Sequence, residues 1–397
     1  MSFARESGDF KLWVNQGNRP RASSPVEAPE TMTTSIKTTL RHAEPQRDFG
    51  AAPSREESSL TQRLLICLID GEIQKFYPDG DLPLDLYPAT RQVEACKLDA
   101  AEWLKVLKDF APTALLTCWS TPAIPEEIAS DPESPLRYIC HIPGTVRRLV
   151  PRSFFERGGT VTNWGPLAGG QVAEQALLLA LASLRNIGQW RQQIADKHHV
   201  PYWDFVDSLR TRTLFGRRIG LHGFGQIAQA LVKLLKPFQV KISAYSEGVP
   251  PALMESLGVK PCRSLEELVP QSEIFFECEA LNPSSERSVT RELLAQLPNQ
   301  ALFVNIARGI IVDEAALIAE VRSGRLHAAL DVITQEPISP EYPLWHQENA
   351  LLSPHIGAPT SDSQWTYGAF ATANLRRFLH GEELDGIVSL AAYDRST

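Results

Sequence analysis

The chain has 397 residues, 43% of them apolar, enough for two or three domains with sizeable cores and far beyond a peptide hormone or disulfide miniprotein. Its 39 Lys and Arg against 47 Asp and Glu leave a net charge of -8, which disfavours polyanion binding as the main activity but leaves room for local clusters that meet small anions. The six cysteines, Cys67, Cys96, Cys118, Cys140, Cys262 and Cys278, are scattered with no C-x-x-C pair, so the expectation is reduced thiols, a cytoplasmic setting and no metal site.

Residues 1–60 mix charge with Ser, Pro, Thr and Glu and carry no sustained apolar period, so they read as a disordered N-terminal extension. Glu6 and Asp9 among the arginines argue against a targeting signal. From Arg63 the pattern changes. Leu64–Ile69 predicts a buried strand closed by a turn at Asp70-Gly71, Ala100–Phe110 a helix, and Ala114–Cys118, Leu136–Ile142 and Thr160–Asn163 further strands. Strands alternating with helices predict a parallel sheet. A long helix over about 170–197 follows; its longest apolar run, Ala176–Leu184, stops at Arg185 and falls short of the ~20 residues of a membrane span.

The alternation then restarts. Strands are predicted at Arg218–His222, Val240–Tyr245, Glu273–Glu277, Ala301–Asn305, Leu326–Leu330 and Ala350–Leu352. Helices fall at Gln226–Leu235, Ser264–Leu268, Thr290–Gln296 and Glu314–Ser323. About six parallel strands suit a doubly wound dinucleotide fold. A last helix, Ser363–Leu379, has the right place to return to the first domain.

Gly223-Phe224-Gly225-Gln226-Ile227-Ala228 joins a predicted strand to a predicted helix as G-x-G-x-x-A. In that context Gly223 allows a tight turn, Gly225 leaves room for a pyrophosphate, Ala228 permits close helix packing, and the helix amino end offers free N–H donors. About 20 residues further on, where an acid normally takes the adenosine ribose, the strand ends in Ser246-Glu247 with no cation before Lys260. NAD is therefore favoured over NADP, with dual use as the alternative.

Three later segments put polar side chains just past apolar strands, where open parallel sheets hold ligands: Asn305 to Gly309, Asp331 to Pro337 and Ser353 to Gly357. Arg308 can grip a planar carboxylate with two parallel hydrogen bonds. His355 can take or give the hydroxyl proton while Glu336 orients its ring. Taken singly, each has a structural explanation: a helix cap, a strand end before Pro337, a buried histidine. Together, behind a dinucleotide loop, they make a hydride-transfer set.

On these segments, with Val312 to Leu317 and Ser323 to Leu326 between them, the sequence resembles the D-isomer-specific 2-hydroxyacid dehydrogenase family over roughly 64–388. The resemblance implies an α/β protein of two Rossmann-like lobes. A doubly wound dinucleotide-binding domain, 168–353, is inserted in a discontinuous flavodoxin-like substrate domain, 61–167 plus 354–397, with the active site in the cleft between them. It implies a homodimer, a small 2-oxo or 2-hydroxy acid of D configuration as substrate, Arg308 on the carboxylate and carbonyl, and Glu336 paired with His355 as acid/base. Asp331 would face the nicotinamide carboxamide, and Ile306, Ala307 and Gly357 would line the cofactor.

Two departures stand out. The family's substrate loop is here Pro143-Gly144-Thr145-Val146-Arg147-Arg148; Pro143 lacks an N–H, and a usually acidic position is basic. Arg147 or Arg148 then favours a bulkier or doubly anionic 2-oxoacid, against the alternative of a solvated basic patch. Secondly, Cys278-Glu279-Ala280 stands where relatives carry His-x-Pro; Cys278 is a candidate neighbour of the nicotinamide ribose or a packed thiol. His222 reads as structural. The competing functions are oxidation of another small anion such as phosphite, formate being disfavoured by Glu336 where formate-oxidising relatives carry Gln, and a nucleotide-sensing corepressor-like protein that uses the extension as an arm.

Overall fold

The computed structural model describes residues 62–198, 201 and 206–394; the predicted extension over 1–60 lies outside them. Five short strands, β1 (Arg63–Cys67), β2 (Ala89–Gln92), β3 (Ala114–Thr117), β4 (Tyr138–His141) and β5 (Thr160–Thr162), form one sheet in the order β2-β1-β3-β4-β5. All pairings are parallel, which is the flavodoxin-like order. Alternate residues serve opposite faces. Leu65, Leu115, Ile139 and Val161 enter one core, and Leu64, Ile66, Leu116, Tyr138 and Cys140 the other, as a sheet covered on both faces requires.

A second sheet holds β6 (Arg218–His222), β7 (Lys241–Tyr245), β8 (Lys260–Pro261), β9 (Ile274–Glu277), β10 (Leu302–Asn305), β11 (His327–Leu330) and β12 (Ala350–Leu352). Its order is β12-β11-β10-β9-β6-β7-β8, again parallel throughout. This is the doubly wound arrangement with one added strand, and its switch point lies between β6 and β9. Seven strands replace the expected six because β8 is only two residues long.

Three local expectations are corrected. Asp70-Gly71 opens a helix, Asp70–Phe76, rather than closing a turn, because the Glu72 carboxylate accepts the Ile69 N–H at 3.2 Å and nucleates it. The edge strand β2, short and polar, escapes the periodicity. The single helix expected over 170–197 is two, Leu167–Leu184 and Ile187–Lys197, separated by the left-handed Asn186 at φ 56°. By length and composition the whole run Leu167–Lys197 passes for a membrane span. Here its Ala173, Ala176, Leu179, Ala180 and Leu184 are buried in the core of the second sheet.

The helix Gln364–His380 comes back to the first sheet. Phe378 stacks on Tyr138 with ring centres 4.4 Å apart, and the Tyr87 hydroxyl donates to Leu375 O at 3.0 Å. Gly368 is required there, since a Cβ would stand 2.0 Å from Phe76 O.

His141, at the end of β4 and just before the substrate loop, is buried with Nδ1 3.0 Å from Thr117 Oγ1. Burial pulls its pKa from 6.5 to about 3. Between those values the unfolded chain binds the extra proton, so the contribution is complete above pH ~6.5 and is lost as pH falls, by up to roughly 1.4 kcal/mol per pH unit. His141→Asn is expected to flatten this acid limb in urea denaturation at pH 7 and pH 5; an unchanged difference between the two would refute it.

Candidate active site

The glycine turn follows β6. Gly223 has φ +90°, and a Cβ there would lie 2.5 Å from the backbone N of Glu279 and 2.7 Å from the carbonyl carbon of Cys278. Handedness and space both demand glycine. Gly225 is the N-cap of the helix Gln226–Leu235 and no side chain caps it; a Cβ on it would meet nothing within 4 Å. The amino end of that helix thus has no capping side chain and free space beside Gly225, which fits a pyrophosphate. Phe224 is in the core and offers only its backbone, Gln226 is exposed and Ile227 half-buried. Gly223→Ala is expected to cost roughly 2–5 kcal/mol and to abolish NADH binding. An unchanged urea midpoint would contradict the close approach.

A cleft of about 1150 Å³ opens beyond the turn, lined by Gly225, Tyr245, Ser246, Glu247, Glu279 and Ser284 among others. Ser246 and Glu247, at the end of β7, are both in its lining. Beneath it His222 and Glu277, register partners on β6 and β9, form a buried pair with Nδ1 and Oε2 2.7 Å apart. Burial drives the Glu277 carboxyl upward against the attraction of His222. For His222 burial acts downward, but Glu277's charge and hydrogen bond carry the net shift upward. Glu277 Oε1 also accepts the Glu279 N–H at 2.9 Å, so this pair holds the loop after β9. Cys278 packs against the core, its thiol pKa pushed up by burial and by the charges of Glu277 and Glu279.

The three polar segments converge past the carboxyl ends of β10, β11 and β12. His355 Nδ1 lies 2.6 Å from Glu336 Oε2, and Glu336 Oε1 accepts the Ile333 N–H at 3.3 Å. Both side chains keep solvent access. Gly309 makes the approach possible, because a Cβ there would stand 2.0 Å from the Ile333 carbonyl carbon. Arg308 donates from Nη1 to Ala307 O at 2.7 Å and from Nη2 to Thr145 Oγ1 at 3.2 Å. Burial depresses its pKa, Glu336 opposes that and the Arg148 charge adds to it. One guanidinium, on which the Glu336 charge acts, therefore reaches from the segment after β10 to Thr145 in the segment after β4.

In the segment Pro143 to Arg148, Pro143 is buried and the Trp164 indole lies where a Cβ of Gly144 would come within 2.3 Å. Asn163 Nδ2 donates to Gly144 O at 2.7 Å. The two arginines part company: Arg147 sits over the Tyr393 ring, 5.9 Å from its centre, whereas Arg148 acts on Arg308.

Asp331 is tied into the turn that follows β12. Its Oδ1 accepts from Ser353 Oγ at 2.5 Å and the Ile356 N–H at 3.1 Å, and its Oδ2 from the Gly357 N–H at 3.0 Å. Asp331 O takes the His355 N–H at 2.9 Å. Buried, it organises the turn that holds His355 at the left-handed φ of 54°, and Gln175 reaches both Asp331 and Ser353. Ile306 and Ala307 are buried, with Asn305 Oδ1 accepting the Ala307 N–H at 3.0 Å. Sequence reasoning missed three supports: Ser353, Gln175 and Glu314, whose carboxylate takes the Thr334 N–H at 2.9 Å and the Tyr342 hydroxyl at 2.7 Å. Only Ser353, two residues before His355, carried a local signal. All six cysteines are free thiols, Cys96 exposed, and no group of three potential metal ligands exists among the described residues.

Residues 177–357 match the NAD-binding domain of the D-isomer-specific 2-hydroxyacid dehydrogenases. The chain is 32% identical over 236 residues to a glyoxylate reductase of Pyrococcus furiosus, covering 57% of this chain and 68% of that protein. It is 31% identical over 236 residues to a D-3-phosphoglycerate dehydrogenase of Methanocaldococcus jannaschii, over 59% of this chain but only 44% of that longer protein. The structure of a glyoxylate reductase from Paecilomyes thermophila superposes with a TM-score of 0.65 at 23% identity, covering 82% of this chain and 98% of the other; it shares the fold.

Proposed function

The chain belongs to the D-isomer-specific 2-hydroxyacid dehydrogenase family, and we propose that it reduces a small 2-oxo acid, or oxidises the matching D-2-hydroxy acid, with His355, Glu336 and Arg308 as its working residues. The observation that carries this is the 2.6 Å His355–Glu336 pair beside a guanidinium on which the Glu336 charge acts. The dinucleotide, when bound at the Gly223–Gly225 turn, supplies or accepts the hydride.

Arg308 is suited to bind the substrate carboxylate through two N–H groups and to polarise the carbonyl. His355 delivers a proton to the carbonyl oxygen during reduction and removes it during oxidation. Glu336, bonded to Nδ1, fixes the ring so that Nε2 is the atom that moves the proton. Asp331, Ser353 and Gln175 hold the turn. The family resemblance extends the proposal to D configuration, a homodimer and a cytoplasmic setting.

For the substrate loop we favour Arg148 over Arg147 as the residue that selects a doubly anionic acid, since its charge is the one that bears on Arg308. The test is NADH oxidation with glyoxylate, hydroxypyruvate and phosphohydroxypyruvate. Arg148→Ala is expected to lower kcat/KM for phosphohydroxypyruvate about tenfold, the loss of one charge-assisted contact, with less effect on glyoxylate and none from Arg147→Ala. Turnover of no 2-oxoacid would overturn the enzymatic reading; an unchanged preference in Arg148→Ala would overturn only the role of that residue.

A further inference from the structure

In doubly wound nucleotide folds the acid that accepts the adenosine ribose hydroxyls ordinarily stands at the end of the second strand. Here that strand is β7 and its end offers Ser246, a hydroxyl. Ser246 Oγ donates at 2.8 Å to Glu279 Oε2, a carboxylate that arrives from the loop after β9, on the other side of β6 in the sheet. Both residues line the same cleft.

We infer that Glu279, presented across the sheet and clasped by Ser246, is the ribose-reading acid of this protein and the residue that sets its preference between NADH and NADPH. The inference rests on the dinucleotide-binding reading of the site.

Four observations fix Glu279 in that place. Its backbone N lies 2.5 Å from where a Gly223 Cβ would stand, so the residue abuts the turn that receives the pyrophosphate. Its N–H is held by Glu277 Oε1 at 2.9 Å, and Glu277 is itself buried and locked to His222. Its Oε1 accepts the Ala280 N–H at 3.0 Å, which sets the carboxylate plane and leaves Oε2 toward Ser246. The residue is only half-buried and lines the cleft.

Glu247, Glu266, Glu292 and Asp394 also line the cleft; the one next to Ser246 is placed differently. Glu247 is exposed, and its Oε2 accepts from Ser284 Oγ at 3.0 Å at the cleft's edge. Among the described residues lining the cleft none is Lys or Arg. A ribose diol offers two donors to Glu279. A 2′-phosphate offers acceptors and negative charge, which a carboxylate repels and which no cation in the cleft offsets.

The test is direct nucleotide binding to the full chain, read by calorimetry with NADH and NADPH and no substrate. The wild type is expected to bind NADH at least about tenfold more tightly than NADPH. Glu279→Gln is expected to weaken NADH about tenfold and to bring the ratio of the two dissociation constants close to one. Glu247→Gln is expected to keep the wild-type ratio. Ser246→Ala, which leaves the carboxylate but removes its clasp, shifts the ratio in the same direction by a smaller factor and serves if Glu279→Gln does not fold. A ratio unchanged in both Glu279→Gln and Ser246→Ala, or one that collapses instead in Glu247→Gln, overturns the assignment while wild-type NADH binding leaves the cofactor reading intact. Failure of the wild type to bind either nucleotide overturns both.

Discussion

His355→Ala is expected to lower kcat by roughly 10²–10⁴-fold, the usual worth of a positioned general acid–base group, with little change in the NADH dissociation constant. The imidazole is held from two sides. Glu336 Oε2 fixes Nδ1 at 2.6 Å, and the Asp331–Ser353–Gly357 hydrogen bonds fix the turn that carries the residue. No other histidine stands in these three segments, so nothing replaces the lost proton carrier. Glu336→Ala is expected to slow turnover less, because a misoriented imidazole still transfers protons some of the time. The double variant is expected to be no slower than His355→Ala alone, since residues that act as one unit do not add. Full activity in His355→Ala, or multiplicative losses in the double variant, would break the assignment.

Arg308→Lys is expected to reduce kcat/KM by about 10²–10³-fold, equivalent to roughly 3–4 kcal/mol of transition-state stabilisation. Lysine keeps the charge but replaces a planar fork with a point donor. The native guanidinium is already oriented by Ala307 O at 2.7 Å and Thr145 Oγ1 at 3.2 Å, contacts that a single ammonium cannot reproduce together. Burial also makes the site intolerant of an unpaired cation. The loss is expected in both KM and kcat, because the same group holds the carboxylate and polarises the carbonyl. A change confined to KM would mean that Arg308 only binds. Parallel measurements with the D and L hydroxy acids would show whether the same contact enforces stereochemistry.

Much of the fold was legible in one dimension. The strand Arg218–His222, the helix Gln226–Leu235 and the helix Ala100–Phe110 appear with the bounds that periodicity predicted. The signals there are local: apolar runs, glycines that permit the turn, and the Asp99 cap that accepts the Glu102 N–H at 2.8 Å. Elements that lack such signals went unseen. β2 is polar on an edge, β8 is two residues, and the break at Asn186 lies inside a run that otherwise keeps helical spacing.

For the site, identity and position along the chain pointed to Arg308, Glu336 and His355, because each directly follows an apolar strand and the chemistry of the three types is complementary. Partnership across the fold was not readable. Asp331 reads as a cofactor neighbour, and the folded chain adds that it holds the His355 turn. Arg147 and Arg148 are adjacent and alike in sequence, yet one lies on Tyr393 and the other acts on Arg308.

Residue type and short-range order were sufficient for the element sequence, the phosphate turn and the choice of chemistry, since steric limits, capping and hydrophobic period act over a few residues. The meeting of Ser246 with Glu279, of Arg308 with Thr145 and of Gln175 with Asp331 depended on folding: these pairs are 33, 163 and 156 residues apart. Strand order and lobe packing bring such residues within hydrogen-bond range, and both arise from burial of the whole core rather than from any local stretch of chain.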